Sequence, residues 1–352
     1  MLPPQTSTSI IFQATGHASE VNQMDIFTQM GVGILSIVIT LVASFAANLM
    51  PRQTGAPQQT SSSMQAPSET HVEYASLQSP ALGKELKFAI QFPPSYERDT
   101  NRRYPVLYFL HGMFGNEREF ERRGVAAAVN KLRDEGKIGE FLIVSPAGEN
   151  SFYLNAKNGL RYEDAIMKDL IPHVEKNYRV MNTPSGRAIQ GISMGGWGAL
   201  LLAFKYPSMF STVTTHSAAL FAELPHPTGT DRRSQFMLQI IGKIFGDPPD
   251  EEFFRSVNPI FVAEQNAATI KKSGIKIYFD CGEQDRYGFQ ESNKLFDDKL
   301  TKLGIVHEFH LFPGNHGWDY MISVADHSYT FLWKNFKTDA RAQASAPARA
   351  NH

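Results

Sequence analysis

An α/β fold with a mostly parallel central sheet covered by helices on both faces is predicted by three observations. Short apolar segments recur along the chain, helix-like stretches separate them, and a serine framed by glycines stands where one segment runs into the next helix. LKFAIQF (86–92) alternates apolar and polar residues, the pattern of a half-buried strand. PVLYFL (105–110) and FLIVS (141–145) are continuous apolar runs bounded by turn residues, as buried parallel strands are. RAIQ (187–190), STVTTH (211–216), IKIYFD (275–280) and HEFHLF (307–312) add four more. Helical stretches fall between them at about 117–135, 161–178, 195–205, 234–245, 289–303 and 319–336. The turn-rich PPSYERDTNRRY after the first strand allows that strand to run antiparallel, and Pro172 predicts a kink or break in the second helical stretch.

The folded part has unstructured-looking flanks. GVGILSIVITLVASFAA (31–47) is an uncharged apolar run near the ~20 residues that cross a bilayer. It also resembles a signal-peptide core, with Ser44-Phe45-Ala46 as a small-x-small cleavage site. The preceding residues carry Glu20 and Asp25 but no Lys or Arg, and the first basic residue is Arg52. The expectation is an N-terminal leader or anchor over 1–50, and hence an exported or membrane-anchored protein that meets a membrane only through this segment. Residues 51–72 are rich in Pro, Gln, Ser and Thr and read as a flexible linker, as does the tail 337–352. The catalytic domain is expected over 73–336.

Composition is that of a globular protein, 42% hydrophobic and 20% charged over 352 residues, with a formal net charge of -1. No basic surplus points to a nucleic acid. The single cysteine, Cys281, allows no intrachain disulfide. HExxH, paired CxxC, Walker and GxGxxG patterns are absent from the sequence, so neither a metal nor a nucleotide cofactor is implied. Oligomeric state is not readable.

Gly191-Ile192-Ser193-Met194-Gly195 lies between the RAIQ strand and the helix GWGALLLAFK. A sharp strand-to-helix turn exposes the serine oxygen, and glycines on either side remove the Cβ clashes that would block it. Ser193 is therefore the candidate nucleophile rather than a mere helix cap. A serine needs a base, and the base an orienting acid. His316 follows a strand in the turn-rich FPGNHGWDY (312–320) and is the candidate base; His310 and His327 fall inside a strand and a helix, while His216 at a strand end stays open. FDCGEQDRYG (279–288) offers the acid: Asp285 after the glycine turn, Glu283 as runner-up, and Asp280 too early in the strand. The oxyanion amides are expected from Met194 and from LHGMFG (110–115), where Met113 is the first choice and Phe114 the alternative. His111 is expected to brace that loop rather than transfer protons.

With FPPSY (92–96), PVLYFLHGMFG (105–115), YEDAIMKDLIPHVEKNY (162–178), GISMGGWGALLLAFKYPSMF (191–210), DCGEQD (280–285) and GNHGWDYM (314–321), the chain resembles the esterase D family of the α/β-hydrolases over about 72–336. That family includes S-formylglutathione hydrolases, feruloyl and acetylxylan esterases, and mycolyltransferases. The resemblance implies an α/β-hydrolase fold, ester hydrolysis through an acyl-enzyme, Ser193, Asp285 and His316 as triad, and Met113 and Met194 as oxyanion donors. It implies a small-molecule or carbohydrate-linked ester as substrate. Acyl transfer to a sugar hydroxyl, a glutathione thioesterase, and a catalytically silent binding protein are the alternatives. The segment 218–260 is the least family-like part and is expected to form a helical cap. Phe114, Trp197 and Trp318 are expected near the substrate, with Phe221 and Tyr287 close to the same loops.

Overall fold

A computed structural model of the chain describes residues 70–226 and 230–336. The apolar run 31–47 and the tail 337–352 lie outside the described residues, and so does all but the end of the linker. Eight strands form one sheet: β1 Val72–Ser79, β2 Lys84–Gln91, β3 Val106–Leu110, β4 Leu142–Pro146, β5 Arg187–Ile192, β6 Thr212–His216, β7 Lys276–Gly282 and β8 Glu308–Phe312. Their spatial order is β1-β2-β4-β3-β5-β6-β7-β8. The pairs from β4 through β8 are parallel, whereas β2 is antiparallel to both β1 and β4. The antiparallel setting of the LKFAIQF strand is as expected. The strand β1 was not: it begins at Val72, inside the segment read as linker. VEYASLQS is an edge strand with mostly exposed or half-buried residues, so it lacks the apolar run that marks the others.

The helices are α1 Glu119–Arg122, α2 Val125–Asp134, α3 Tyr162–Asp164, α4 Ile171–Asn177, α5 Met194–Lys205, α6 Arg232–Phe245, α7 Glu251–Val257, α8 Pro259–Gln265, α9 Ala267–Ser273, α10 Phe289–Lys302, α11 Trp318–Ser323 and α12 Ala325–Asn335. Between α3 and α4 the chain continues through a π-helical turn, Ala165–Leu170. Pro172 then sits in the first turn of α4, where its missing N–H is tolerated, so the expected break takes the form of a widened turn.

Alternation along the strands divides the core. In β3, Val106, Tyr108 and Leu110 pack with α5, α8 and α10 on one face, and Leu107 and Phe109 pack with α2, α11 and α12 on the other. The central strands β3 to β6 are buried throughout, as a sheet covered on both sides requires. The cap expected over 218–260 contains α6 and α7; its end, Pro259–Ile260, already belongs to α8, which packs on α5. Parallel strands β3 to β8 send all their following loops to one edge, and the candidate site is built there.

Candidate active site

The β5–α5 junction is a tight elbow. Ser193 adopts φ 55°, ψ -119°, a left-handed region that non-glycine residues rarely occupy. A Cβ on Gly195 would lie 2.0 Å from the Leu110 carbonyl oxygen, and one on Gly191 would lie 2.0 Å from the Gly195 oxygen. Both positions therefore accept only glycine. The elbow is tied down from the next strand: the Ser193 amide donates to the His216 carbonyl at 3.0 Å, and the Ala219 amide donates to the Ser193 carbonyl at 3.0 Å. From Gly186 to Phe204 every residue is buried except Ser193. The chain thus presents one side chain, a hydroxyl, to the surface of an otherwise closed strand–helix unit, at the positive end of α5.

Asp285 and His316 meet across two loops. His316 Nδ1–H donates to Asp285 Oδ2 at 2.7 Å, and the other carboxylate oxygen accepts the Tyr287 amide at 2.9 Å. Burial pushes the Asp285 pKa up, but the bonds from His316 and the Tyr287 amide outweigh it and leave the carboxyl below its ordinary value. The two loops are laced together. Gln284 and Gly314 exchange two hydrogen bonds at 2.9 Å, and the Arg286 amide donates to Asn315 Oδ1 at 2.9 Å. The His316 ring packs at a steep angle against two aromatic rings, with Tyr287 at 4.8 Å and Phe289 at 5.6 Å between ring centroids. Glu283, the runner-up acid, is exposed, and its carboxylate accepts from Gln284 Nε2 at 3.3 Å. Asp280 and His216 are also accounted for. They pair with each other in the core, where His216 Nδ1 lies 3.0 Å from the carboxylate and the hydroxyls of Tyr278 and Tyr320 donate to it at 2.9 Å.

The loop after β3 lies against the elbow: a Cβ on Gly112 would lie 3.5 Å from that of Ser193. The amide of Phe114, the alternative oxyanion donor, donates to Asn150 Oδ1 at 2.8 Å. The Met113 amide makes no hydrogen bond among the described residues, and Met194 is the first residue of α5, where N–H groups lack a helical acceptor. His111 braces this loop. Its Nδ1–H donates to the Gly112 carbonyl at 2.7 Å, and its Nε2 accepts the Gly148 amide at 2.8 Å. That pattern needs the neutral ring, and burial lowers its pKa accordingly, against a smaller upward pull from the Gly112 bond.

The aromatic residues divide. Phe114 is 66% exposed and stacks with Phe236 of α6 at 6.0 Å, so the loop after β3 meets the cap segment. Trp318 is half-buried. It packs on Phe109 at 6.2 Å and lines a cavity of about 720 Å³ that also reaches His316. Trp197 contradicts expectation. It is fully buried among Phe152, Phe221, Phe245 and Phe254, so it is core and touches no open site. The reason is the helix that carries it: α5 is apolar on all sides and has no face turned to solvent. Residues that sequence reasoning did not single out include Asn150 and Tyr153, which hold the loop after β3, Phe236, which stacks on Phe114, and Phe289, which packs on His316. Beneath α6, Phe152, Phe221, Pro225, Met237, Ile241 and Phe245 line an apolar cavity of about 190 Å³.

Comparison with known proteins identifies the family and the fold. Residues 79–324 match the family described as "Putative esterase". An esterase of Mycobacterium tuberculosis is 27% identical over 260 residues, which is 69% of this chain and 55% of that protein, so the chain spans about half of that relative's length. An acetyl esterase of Caldicellulosiruptor saccharolyticus is 27% identical over 231 residues, 65% of this chain and 83% of the relative. The solved structure of a ferulic acid esterase superposes with a TM-score of 0.65 at 26% identity, covering 76% of this chain and 99% of that one. The family match covers most of the chain, and its mostly parallel eight-stranded sheet superposes on that related esterase: the protein is a member of this esterase family, on an α/β-hydrolase fold.

Proposed function

We propose that the protein is a serine carboxylic-ester hydrolase that works through an acyl-enzyme on a small acyl or aromatic ester. One observation carries the reading. From Gly186 to Phe204 the one accessible side chain is the elbow hydroxyl, and the loops after β7 and β8 on the same sheet edge hold a bonded carboxylate–imidazole pair. His316 Nε2 takes the Ser193 proton as Oγ bonds to the ester carbonyl carbon. The Met113 and Met194 amides receive the negative oxygen. The ester C–O bond then breaks, His316 returns the proton to the leaving alkoxide, and water repeats the sequence to release the acid. Asp285 keeps Nδ1 protonated and stabilises the imidazolium. The names of the relatives, acetyl esterase and ferulic acid esterase, support an ester substrate with a small or aromatic acyl group. The apolar cavity under α6 suits such a group.

The test is hydrolysis of p-nitrophenyl acetate, p-nitrophenyl octanoate, methyl ferulate and acetylated xylan fragments by the purified protein beside Ser193→Ala, with fluorophosphonate labelling of both. Loss of turnover by a factor on the order of 10⁴–10⁶ in the variant, together with loss of labelling, is expected. Folded protein that neither turns over an ester nor takes the label would overturn the reading and favour a silent binding protein. Export or anchoring through 31–47 is a separate proposal resting on its apolar composition. Cell fractionation checks it, and full-length protein in the cytosol would oppose it.

A further inference from the structure

Two unlike spaces lie near His316. Its ring meets Phe289 at 5.6 Å, and Phe289 meets Phe221, which lines the apolar cavity under α6, at 5.7 Å. The cavity of about 720 Å³ is lined by His316 and Trp318 together with three arginines: Arg122 and Arg123 from the end of α1 and Arg286 from the loop after β7. Arg286 has no carboxylate partner among the described residues; its guanidinium lies 5.3 Å from the Tyr287 ring. Arg123 pairs with Glu119 at 2.7 Å, and Arg122 approaches the same carboxylate only at 4.0 Å. Glu119 is buried behind the helix, and the one carboxylate lining the cavity is Asp319 on its rim. Three cations facing two anions leave this wall positive, and guanidinium forks suit carboxylates in particular.

The chemistry of the imidazole decides which part of a substrate would meet that wall. The base that protonates the leaving oxygen must sit beside it, so the alcohol departs on the His316 side while the acyl group stays on Ser193. We propose that the arginine-lined cavity is an alcohol subsite, and that the preferred substrates are esters whose alcohol portion carries a carboxylate. This rests on the esterase reading above and adds the charge of the leaving group. It also divides the site by polarity: an apolar pocket for the acyl group and a cationic one for the alcohol.

The experiment fixes the acyl group as the one best accepted in the ester panel and compares two leaving groups of the same size, 4-hydroxybenzoate and 4-hydroxybenzamide. Each kcat/KM is divided by the alkaline hydrolysis rate of the same ester, which removes intrinsic reactivity. The expected ratio favours the carboxylate by about tenfold, the size of one charge-assisted contact. It should shrink in 0.5 M NaCl, fall toward one in Arg286→Ala and in Arg122→Ala/Arg123→Ala, and survive in part in Arg286→Lys. A ratio at or below one in the parent protein, or one unmoved by removal of all three arginines, overturns the subsite. Failure of the parent to hydrolyse either ester, or any in the panel, overturns the esterase reading itself, which is a distinguishable result. Arg122→Ala/Arg123→Ala leaves the buried Glu119 without its partner, so Arg286→Ala, which breaks no carboxylate pair among the described residues, is the folding-neutral variant, and the ratio is internal to each variant.

Discussion

Among the histidine–aspartate pairs of the described residues, His216–Asp280 and His316–Asp285 lie at the site edge of the sheet, and they differ in what surrounds the ring. His216 and Asp280 face each other in register across β6 and β7. Both side chains are 0% exposed, and the carboxylate is saturated by His216 and two tyrosine hydroxyls. His316 and Asp285 have an equally direct bond, but both sit on loops past the strand ends, and the His316 side chain is 8% exposed at the wall of a large cavity. Pairing alone therefore does not make a working base. A base needs a second ring nitrogen with room for a reacting atom, and loops after the strands supply that room while the strands themselves do not.

The largest expected effect separates the pairs by activity. Asp285→Asn should lower kcat by about 10⁴ through the wrong imidazole tautomer, with little change in Tm. Steady-state kinetics and thermal unfolding on one preparation check this, and a variant within tenfold of the parent would remove Asp285 from the proposed triad. Next comes the sealed pair. Asp280→Ala strands three buried donors and should cost about 3–5 kcal/mol of stability, while activity per folded molecule stays within about tenfold. Chemical denaturation with active-site titration measures both quantities. The reverse outcome, an inert but stable protein, would make His216–Asp280 the functional pair.

The smallest effects concern a third histidine. His111→Gln should loosen the oxyanion loop and lower kcat by about tenfold, less than loss of a whole donor. Its lowered pKa also carries a pH signature. Burial favours the neutral ring in the folded state, so the unfolded chain takes up the proton first. The stability that His111 contributes is complete above its ordinary value of 6.5 and erodes as pH falls from there toward the lower folded value. Tm measured from pH 8 to pH 5 should therefore fall less steeply in the variant than in the parent. Parallel curves would show that another group governs the acid limb.

What the sequence made legible follows from which forces are local. The parallel strands announce themselves because burial on both faces demands unbroken apolar runs such as VLYFL and LIVSP. The serine elbow is legible because a steric demand on Gly191 and Gly195 acts within five residues. β1 was hidden because an edge strand needs only one good face, and α7 to α9 because seven-residue helices span too few turns to display a period. Trp197 was misplaced because nearness in sequence to Ser193 says nothing of direction: four residues along a helix is one full turn, and this helix is buried all round. The convergence of Arg122, Arg123 and Arg286 could not be read at all. They come from distant segments, and only the strand order brings the loops after β3, β7 and β8 together.

Cys281 follows Asp280 in β7, fully buried, with its sulfur 3.5 Å from Asp285 Oδ2 and 3.7 Å from the Ser217 hydroxyl. Burial, with the neighbouring carboxylates, pushes its thiol pKa far up, against a weaker opposing pull from Ser217. Only the thiolate is oxidised or alkylated at speed, and only where a reagent can approach. The protein thus keeps its one thiol inert a single layer beneath the carboxylate that orients the imidazole. That thiol is indifferent to redox poise, and the folded protein should tolerate iodoacetamide and glutathione buffers alike.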